Sequence, residues 1–303
     1  PGRLANDLHD QNNQLGSSRI FEAVPHLIDK PVLEGGLVNS ALGSMFSYYV
    51  QGETSKNTAG FPPIVQPTTF NFTNATKHLE LFNVKHFIAR WSGAKEALNN
   101  HPLWKKLDTA SEWALFELMS HDGSYVTVPE RQPAAIILNP KQKKAAKRTA
   151  LNWMYNIDLI DQPFALITGK DHANRFPTVI QQEQFEAALE TKTDFPVSVA
   201  PPITNNTRIS ISEKIDTHRI RFTTSATGLP HIVKCTYYPN WQVKGADAVY
   251  MVTPGFMLVY PRQNEVELLY GYTRTDNIGR LIALLCFAAA ICVTVERRRH
   301  SDS

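Results

Sequence analysis

The chain has 303 residues, 43% hydrophobic and 19% charged. That is enough apolar content for one large core or two ordinary ones, which excludes a disordered tail or a stapled miniprotein. Lys plus Arg number 31 against 28 Asp plus Glu, a formal net charge of +3, and a body this close to neutral lacks the electrostatic footprint that wraps phosphates, so nucleic acid is excluded as a partner.

The chain starts at Pro1 with no basic flank and apolar stretch, so no signal peptide is read there and the sequence reads as a fragment of a longer protein. Residues 18–25 form a strand-like run closed by Pro25. Residues 31–53 have the most distinctive local composition, with Gly35 and Gly36, Asn39, the adjacent Tyr48 and Tyr49, and the carboxylates Glu34 and Glu53. A helix over 76–82 leads into a strand over 84–89. Strands are expected over 113–119 and 134–138, the second apolar throughout, as in a strand buried on both faces. An amphipathic helix over 141–157 turns its basic side to solvent, and a second helix covers 181–190. The Pro-rich passage 195–203 reads as a linker, with a domain boundary near Pro201.

After it the periodicity becomes that of strands, over 208–215, 219–225, 231–237, 242–243, 248–253, 257–259 and 265–272. Short alternating runs joined by brief turns predict a β-sandwich. The last strand points into an apolar segment that is uncharged after Arg280. From Leu281 that run spans about 22 Å; counting from Ile278, with Arg280 snorkelling, it reaches about 27 Å against a hydrocarbon core of roughly 30 Å. Tyr270 and Tyr272 sit where an interfacial aromatic belt would, and Arg297, Arg298 and Arg299 follow as a cytoplasmic stop. The expected architecture is therefore α+β: an extracytoplasmic α/β domain over 1–200, a small antiparallel β-sandwich over 201–275, a transmembrane helix over 276–296 and a cytoplasmic basic tail over 297–303. A cell-membrane location follows, with membrane lipid as the first partner.

Chemistry-bearing motifs are sparse. None of the ten His forms the i, i+4 pair with an intervening Glu that a zinc peptidase helix needs. Cys235 is the single thiol outside the apolar segment, so no disulfide framework or zinc cluster is expected. His121-Asp122 and Asp171-His172 are sequence neighbours on turns and read as surface polar residues. No Gly-x-Ser-x-Gly elbow occurs, and Thr168-Gly169-Lys170-Asp171 lacks the first Gly and the final hydroxyl residue of a phosphate loop. No catalytic residue, metal or cofactor is expected. Asn71, Asn74 and Asn205 begin glycosylation acceptor triplets, in keeping with export.

Candidate ligand-binding residues are Glu34, Asn39, Tyr48, Tyr49, Glu53 and Trp241. Carboxylates accept hydrogen bonds from a hydroxylated or cationic ligand, glycines let backbone approach it, and aromatic faces stack on it. The competing reading of residues 31–53 is a turn followed by a packed helix start. For Trp241 it is an aromatic lid on one end of the sandwich, with Pro239 fixing the entry and Gly245 supplying a permissive turn.

Two stretches carry a family resemblance. Glu34-Gly35-Gly36 through Gln51-Gly52-Glu53, followed by His78 to Ile88, resembles the extracytoplasmic region of 6-pyruvoyl-tetrahydropterin synthase-related multi-pass membrane proteins, which in turn resemble C-type glycosyltransferases that use lipid-phosphate sugar donors. Tyr238-Pro239-Asn240-Trp241-Gln242-Val243-Lys244-Gly245, then Val266-Glu267-Leu268-Leu269-Tyr270 and an apolar helix, is similar to the β-sandwich before the last membrane span of related bacterial proteins. The resemblance covers about half of the chain. It implies the C-terminal portion of a glycosyltransferase-like membrane protein that shapes or covers an acceptor site, with a lipid-linked sugar or glycan acceptor as partner. The family's catalytic acid lies in an early loop with no counterpart here, so no catalytic residue carries over. A non-catalytic carbohydrate- or partner-binding ectodomain is the alternative, and a self-contained hydrolase a third.

Overall fold

The computed structural model describes residues 1–33, 44–57, 64–169, 172–191, 199–204 and 208–301, the side chains of 44, 191 and 294–301 excepted. Glu34 and Asn39 lie outside the described residues, as do Lys170, Asp171 and Asn205.

The N-terminal layer is a sheet in the order β1-β2-β4-β3, from Arg3–Asn6, Val84–Ala89, Trp113–Leu118 and Trp104–Ala110. β1 runs parallel to β2, while β4 is antiparallel to both β2 and β3. Nothing in Arg3-Leu4-Ala5-Asn6 alternates; the segment is a strand because β2 offers it a hydrogen-bonding edge. Helix α3, Phe72–Leu81, follows from its own sequence: the Asn71 side chain caps it by accepting from the Asn74 N–H at 3.1 Å. Phe72, Ala75 and Leu79, spaced i, i+3, i+7, form one buried face. Helix α2, Ser44–Thr54, packs against α3, and α4, Ser92–Asn100, lies over β2 and β3.

Residues 18–25 are not a strand. They form a short 3-10 turn, Ile20–Ala23, that runs into helix α1, Val24–Ile28. Pro25 sits in the first turn of α1, where its missing N–H goes unused and its fixed φ suits a helix, so it opens a helix instead of closing a strand.

The central layer is a seven-stranded sheet in the order β5-β11-β14-β13-β7-β6-β8. Its strands are β5 Val126–Thr127, β6 Ala134–Ile137, β7 Phe164–Ile167, β8 Val179–Gln181, β11 His231–Thr236, β13 Tyr250–Val252 and β14 Phe256–Val259. β6 pairs in parallel with both β7 and β8, and the helices α5, Ala145–Tyr155, and α6, Gln182–Thr191, follow β6 and β8. Cover on both faces explains why Ala134, Ala135 and Ile136 read as a continuous apolar run.

This sheet takes strands from both sides of Pro201, so no domain edge falls there. Residues 195–203 do not behave as a linker over their described part: Val199 and Ala200 are buried, and the chain is pinned by Gln132 N–H to the Pro201 carbonyl at 2.9 Å and Ile203 N–H to the Glu130 carbonyl at 2.7 Å. Proline lacks a donor but keeps its acceptor, and the acceptor is what is used here.

The sandwich is present. Its outer sheet runs β12-β15-β10-β9, from Trp241–Lys244, Glu265–Tyr270, Arg219–Thr224 and Ile211–Asp216, all antiparallel. It closes on the β5, β11 and β14 end of the central sheet through Ile220, Phe222, Val233, Met257, Val266 and Leu268. Gly245 turns with φ 81°, and a Cβ there would meet the Glu265 carbonyl oxygen at 2.2 Å, so the permissive turn is a steric requirement.

Helix α7, Arg274–Ser301, leaves the sandwich with its described apolar side chains, Ile278 to Val293, uncovered. Residues Arg274–Val293 are long and apolar enough to cross a membrane and none of this stretch is buried in the protein; twenty residues of helix give about 30 Å. Its root is tied down. Thr273 Oγ1 accepts from the Asp276 N–H, the Asp276 carboxylate accepts from the Thr273 N–H at 2.7 Å, and Asn240 Nδ2 donates to the Gly271 carbonyl at 3.0 Å and to Asp276 at 3.1 Å.

Candidate functional site

Among the sequence-derived candidates, Tyr48, Tyr49 and Glu53 all sit on α2. Glu53 and its neighbours turn toward α3. Glu53 Oε2 lies 2.7 Å from His78 Nδ1, and both side chains are only 2% exposed. The other ring nitrogen, Nε2, is 3.0 Å from the Met154 carbonyl oxygen. A carbonyl only accepts, so Nε2 carries a proton and a second proton lies between Nδ1 and the carboxyl group. Burial pushes the Glu53 carboxyl above the usual range, with the His78 hydrogen bond pulling the other way. Tyr49 packs edge-on to His78 at 5.7 Å and against Tyr155 at 4.7 Å, and burial raises its phenol, helped by Glu53. With both imidazole nitrogens committed, His78 has no lone pair or free proton to offer a ligand. Of the turn and packed helix read over residues 31–53, the described part, from Ser44 on, is a packed helix, and Glu53 is a buried partner of His78.

A second polar cluster ties the chain after β1 to the chain after β2, though the buried Arg90 Nε has no partner. The Asp7 carboxylate, after β1, accepts the N–H groups of Arg90 and Trp91 after β2, at 2.9 and 2.7 Å. Arg90 in turn donates to Asn12 and pairs with Glu112 while its guanidinium lies 4.9 Å from the Trp113 ring. His121, expected at the surface, is half-buried: Nε2 meets the Val84 carbonyl at 3.0 Å and Nδ1 accepts from the Gly123 N–H. Among the described residues no group of three or more His, Cys, Asp or Glu could hold a metal ion.

Trp241 has a different setting. It lines an open cleft of about 840 Å³ between the start of β1 with the loop after α1 on one side, and the β9–β10 turn with the ends of β11, β12 and β15 on the other. Tyr270 stands at the centre of the aromatic wall, 5.4 Å from Trp241, 6.4 Å from Tyr238 and 5.9 Å from the His218 ring. The wall forms because β12 and β15 pair in register, placing Trp241 opposite Tyr270. Asp29 and Asp216 add exposed carboxyl groups to the lining; Asp29 ends α1 in the left-handed region at φ 51°, where Asp is tolerated.

Two features of the cleft define its chemistry. The Arg3 guanidinium is a fixed part of the wall: its terminal nitrogens donate to the Phe82 and Lys234 carbonyls at 2.6 and 2.7 Å, and it covers the Tyr125 ring at 4.9 Å. Tyr125 is buried with its hydroxyl unpartnered, and burial raises its phenol. Desolvation pushes the Cys235 thiol up to about 11, so little thiolate forms near neutral pH and the sulfur is not a ready nucleophile. Aromatic faces and acceptor carboxylates suit a ligand with many hydroxyl groups and an apolar ring face.

None of Tyr48, Tyr49 and Glu53 lines the cleft, so the structure does not join them to Trp241. Reasoning from sequence passed over Arg3, Asp29, Tyr125, Asp216 and His218 because no spacing links them. The available signal was Tyr238 three residues before Trp241, with Tyr270 ending the last strand. In comparisons with known proteins, no family model, no curated protein and no solved structure matches the chain.

Proposed function

We propose that the chain is the membrane-anchored, extracytoplasmic region of a glycosyltransferase-like membrane protein, and that the cleft beside α7 receives the saccharide of the acceptor. The observation behind it is the Trp241–Tyr270–Tyr238 wall at the root of a helix long enough to cross a membrane. Stacking on such a wall uses the apolar face of a sugar ring, while Asp29 and Asp216 accept from its hydroxyls. The lining favours neutral sugars over phosphates, since its arginine is committed to two carbonyls and two carboxylates face the same space. The likeness of residues 34–53, 78–88 and 238–245 to the membrane glycosyltransferase-like family motivates the acceptor role. Arg297 to Arg299 after the apolar stretch favour a cytoplasmic C-terminus, with the body on the opposite side.

On this proposal the cleft holds and orients a ligand and performs no bond chemistry. The test is titration of the full chain in nanodiscs with neutral hexose oligosaccharides and, separately, inorganic phosphate, read by intrinsic tryptophan fluorescence. Saturable binding of a neutral oligosaccharide that weakens in Trp241→Ala, with no response to phosphate, is expected. No saturation across the oligosaccharide series, or binding that Trp241→Ala leaves unchanged, would overturn the assignment of the cleft.

A further inference from the structure

We infer that the tip of α1 is a second membrane contact, and that what covers it is the lipid bilayer into which α7 projects. Leu27 and Ile28 are 76% and 69% exposed, more than any other large apolar side chain among the described residues, those of α7 included. They are consecutive on a five-residue helix that ends at Asp29, so their side chains spread around its tip instead of forming one face that a neighbouring helix could cover.

Position names the occupant. Asp29 and Pro31, directly after this tip, belong to the wall of the cleft that faces Trp241 and Tyr270. Tyr270 ends the strand four residues before α7 begins. The opposite wall is also the membrane-proximal end of the sandwich, because the Tyr270 N–H donates to the His218 carbonyl at 2.9 Å and so holds the β9–β10 turn beside the root. The root does not swing freely from this end. Asn240 and Gly271 exchange hydrogen bonds, and Asn240 also reaches Asp276 in the first turn of α7. A bilayer met by α7 reaches the Tyr270 and Tyr272 rim of the cleft first, and on this inference it also takes up Leu27 and Ile28 beside the Asp29 rim. Aromatic side chains at the headgroup level and aliphatic side chains dipping past it are the two kinds of group that such an interface takes up. Lys30, two residues beyond Ile28, donates to the Pro1 carbonyl at 3.1 Å, and the two side chains offered to the bilayer are themselves apolar.

Docking at two points would turn the mouth of the cleft to the headgroup layer. Where the cleft binds saccharide as proposed above, its ligand would then be a saccharide carried on a lipid; the contact itself stands or falls independently of that ligand.

The experiment is photocrosslinking of the full chain in phosphatidylcholine nanodiscs, with Leu27→p-benzoylphenylalanine in one sample and Phe287→p-benzoylphenylalanine in another. Leu27 is exposed, so its replacement leaves the core intact. Mass spectrometry should find phosphatidylcholine adducts on the peptides carrying both positions. Adducts at 287 with none at 27 would overturn the inference, as would a protein-to-protein crosslink at 27 in place of lipid, which would assign the tip to a second copy. Adducts at neither position would remove the anchor and the contact together.

Discussion

The interior between α2 and α3 and the cleft beside α7 hold similar side chains in opposite circumstances. Each combines tyrosines, a histidine and carboxyl groups. In the interior, Glu53, His78 and the Met154 carbonyl satisfy one another within 3.0 Å and exclude water. In the cleft, Trp241 and Tyr238 are half-buried, Asp29, Asp216 and Tyr270 are exposed, and the Tyr125 hydroxyl has no partner. A closed set of polar groups stabilises a fold by being complete; an open set has capacity left for something else. Residue type does not distinguish these cases, and partnership does.

The comparison can be broken in four ways. The largest effect is expected at the anchor below the cleft: Leu285→Arg places a charge near the middle of the apolar stretch, at a cost of roughly 3 kcal/mol or more. It should release the protein from membranes on carbonate extraction, and unchanged retention would count against a bilayer-spanning α7. Next, His78→Leu strands a buried carboxyl group and should lower stability by roughly 3–5 kcal/mol, whereas adding Glu53→Leu should restore most of it. Denaturant unfolding of the two variants decides whether the interior pair is as closed as its geometry implies.

Trp241→Ala is expected to reverse the pattern. Oligosaccharide binding should fall about tenfold, near 1.4 kcal/mol, while the fold, losing only a half-buried ring, unfolds at nearly the same denaturant concentration. A larger loss of stability than of binding would return Trp241 to the role of a packing residue. The smallest effect concerns Lys234, at the seam between the two regions, where Nζ donates to the Glu80 carbonyl at 3.2 Å. Burial lowers its pKa to about 8 from 10.5. Between pH 7 and 9 the unfolded chain keeps this proton while the folded protein sheds it, so stability should rise with pH, by about 1 kcal/mol. Lys234→Met should flatten that rise; an unchanged slope would show that another group is responsible.

The elements that were readable in the sequence are those whose cause is local. Leu79, Leu81 and Phe82 among polar residues mark a helix over 76–82, which the structure starts earlier, at Phe72 behind the Asn71 cap, and the apolar run after Arg280 specifies a helix that needs lipid or protein around it. The alternation in Ile211 to Asp216 and Arg219 to Thr224 specifies half-buried strands. β1 was not readable, since Arg3-Leu4-Ala5-Asn6 becomes a strand only beside Val84 to Ala89, some eighty residues later. The same distance defeats any linear division at Pro201. A sheet is completed by edges, and edges are supplied by whichever strand arrives.

The candidate residues divide along the same line. That Trp241 would follow a turn and that residues 44–54 would be helical follows from their neighbours in sequence, because side-chain direction repeats with the local backbone. That Glu53 would find His78, and that Arg3, Asp29, Tyr125, Asp216 and Tyr270 would surround one space, was decided by the tertiary structure alone. A carboxylate's chemistry depends on which groups lie within about 4 Å of it, as do the exposure of an aromatic face and the pairing of a hydroxyl. Chain connectivity fixes those neighbours for the nearest few residues, and packing chooses the rest.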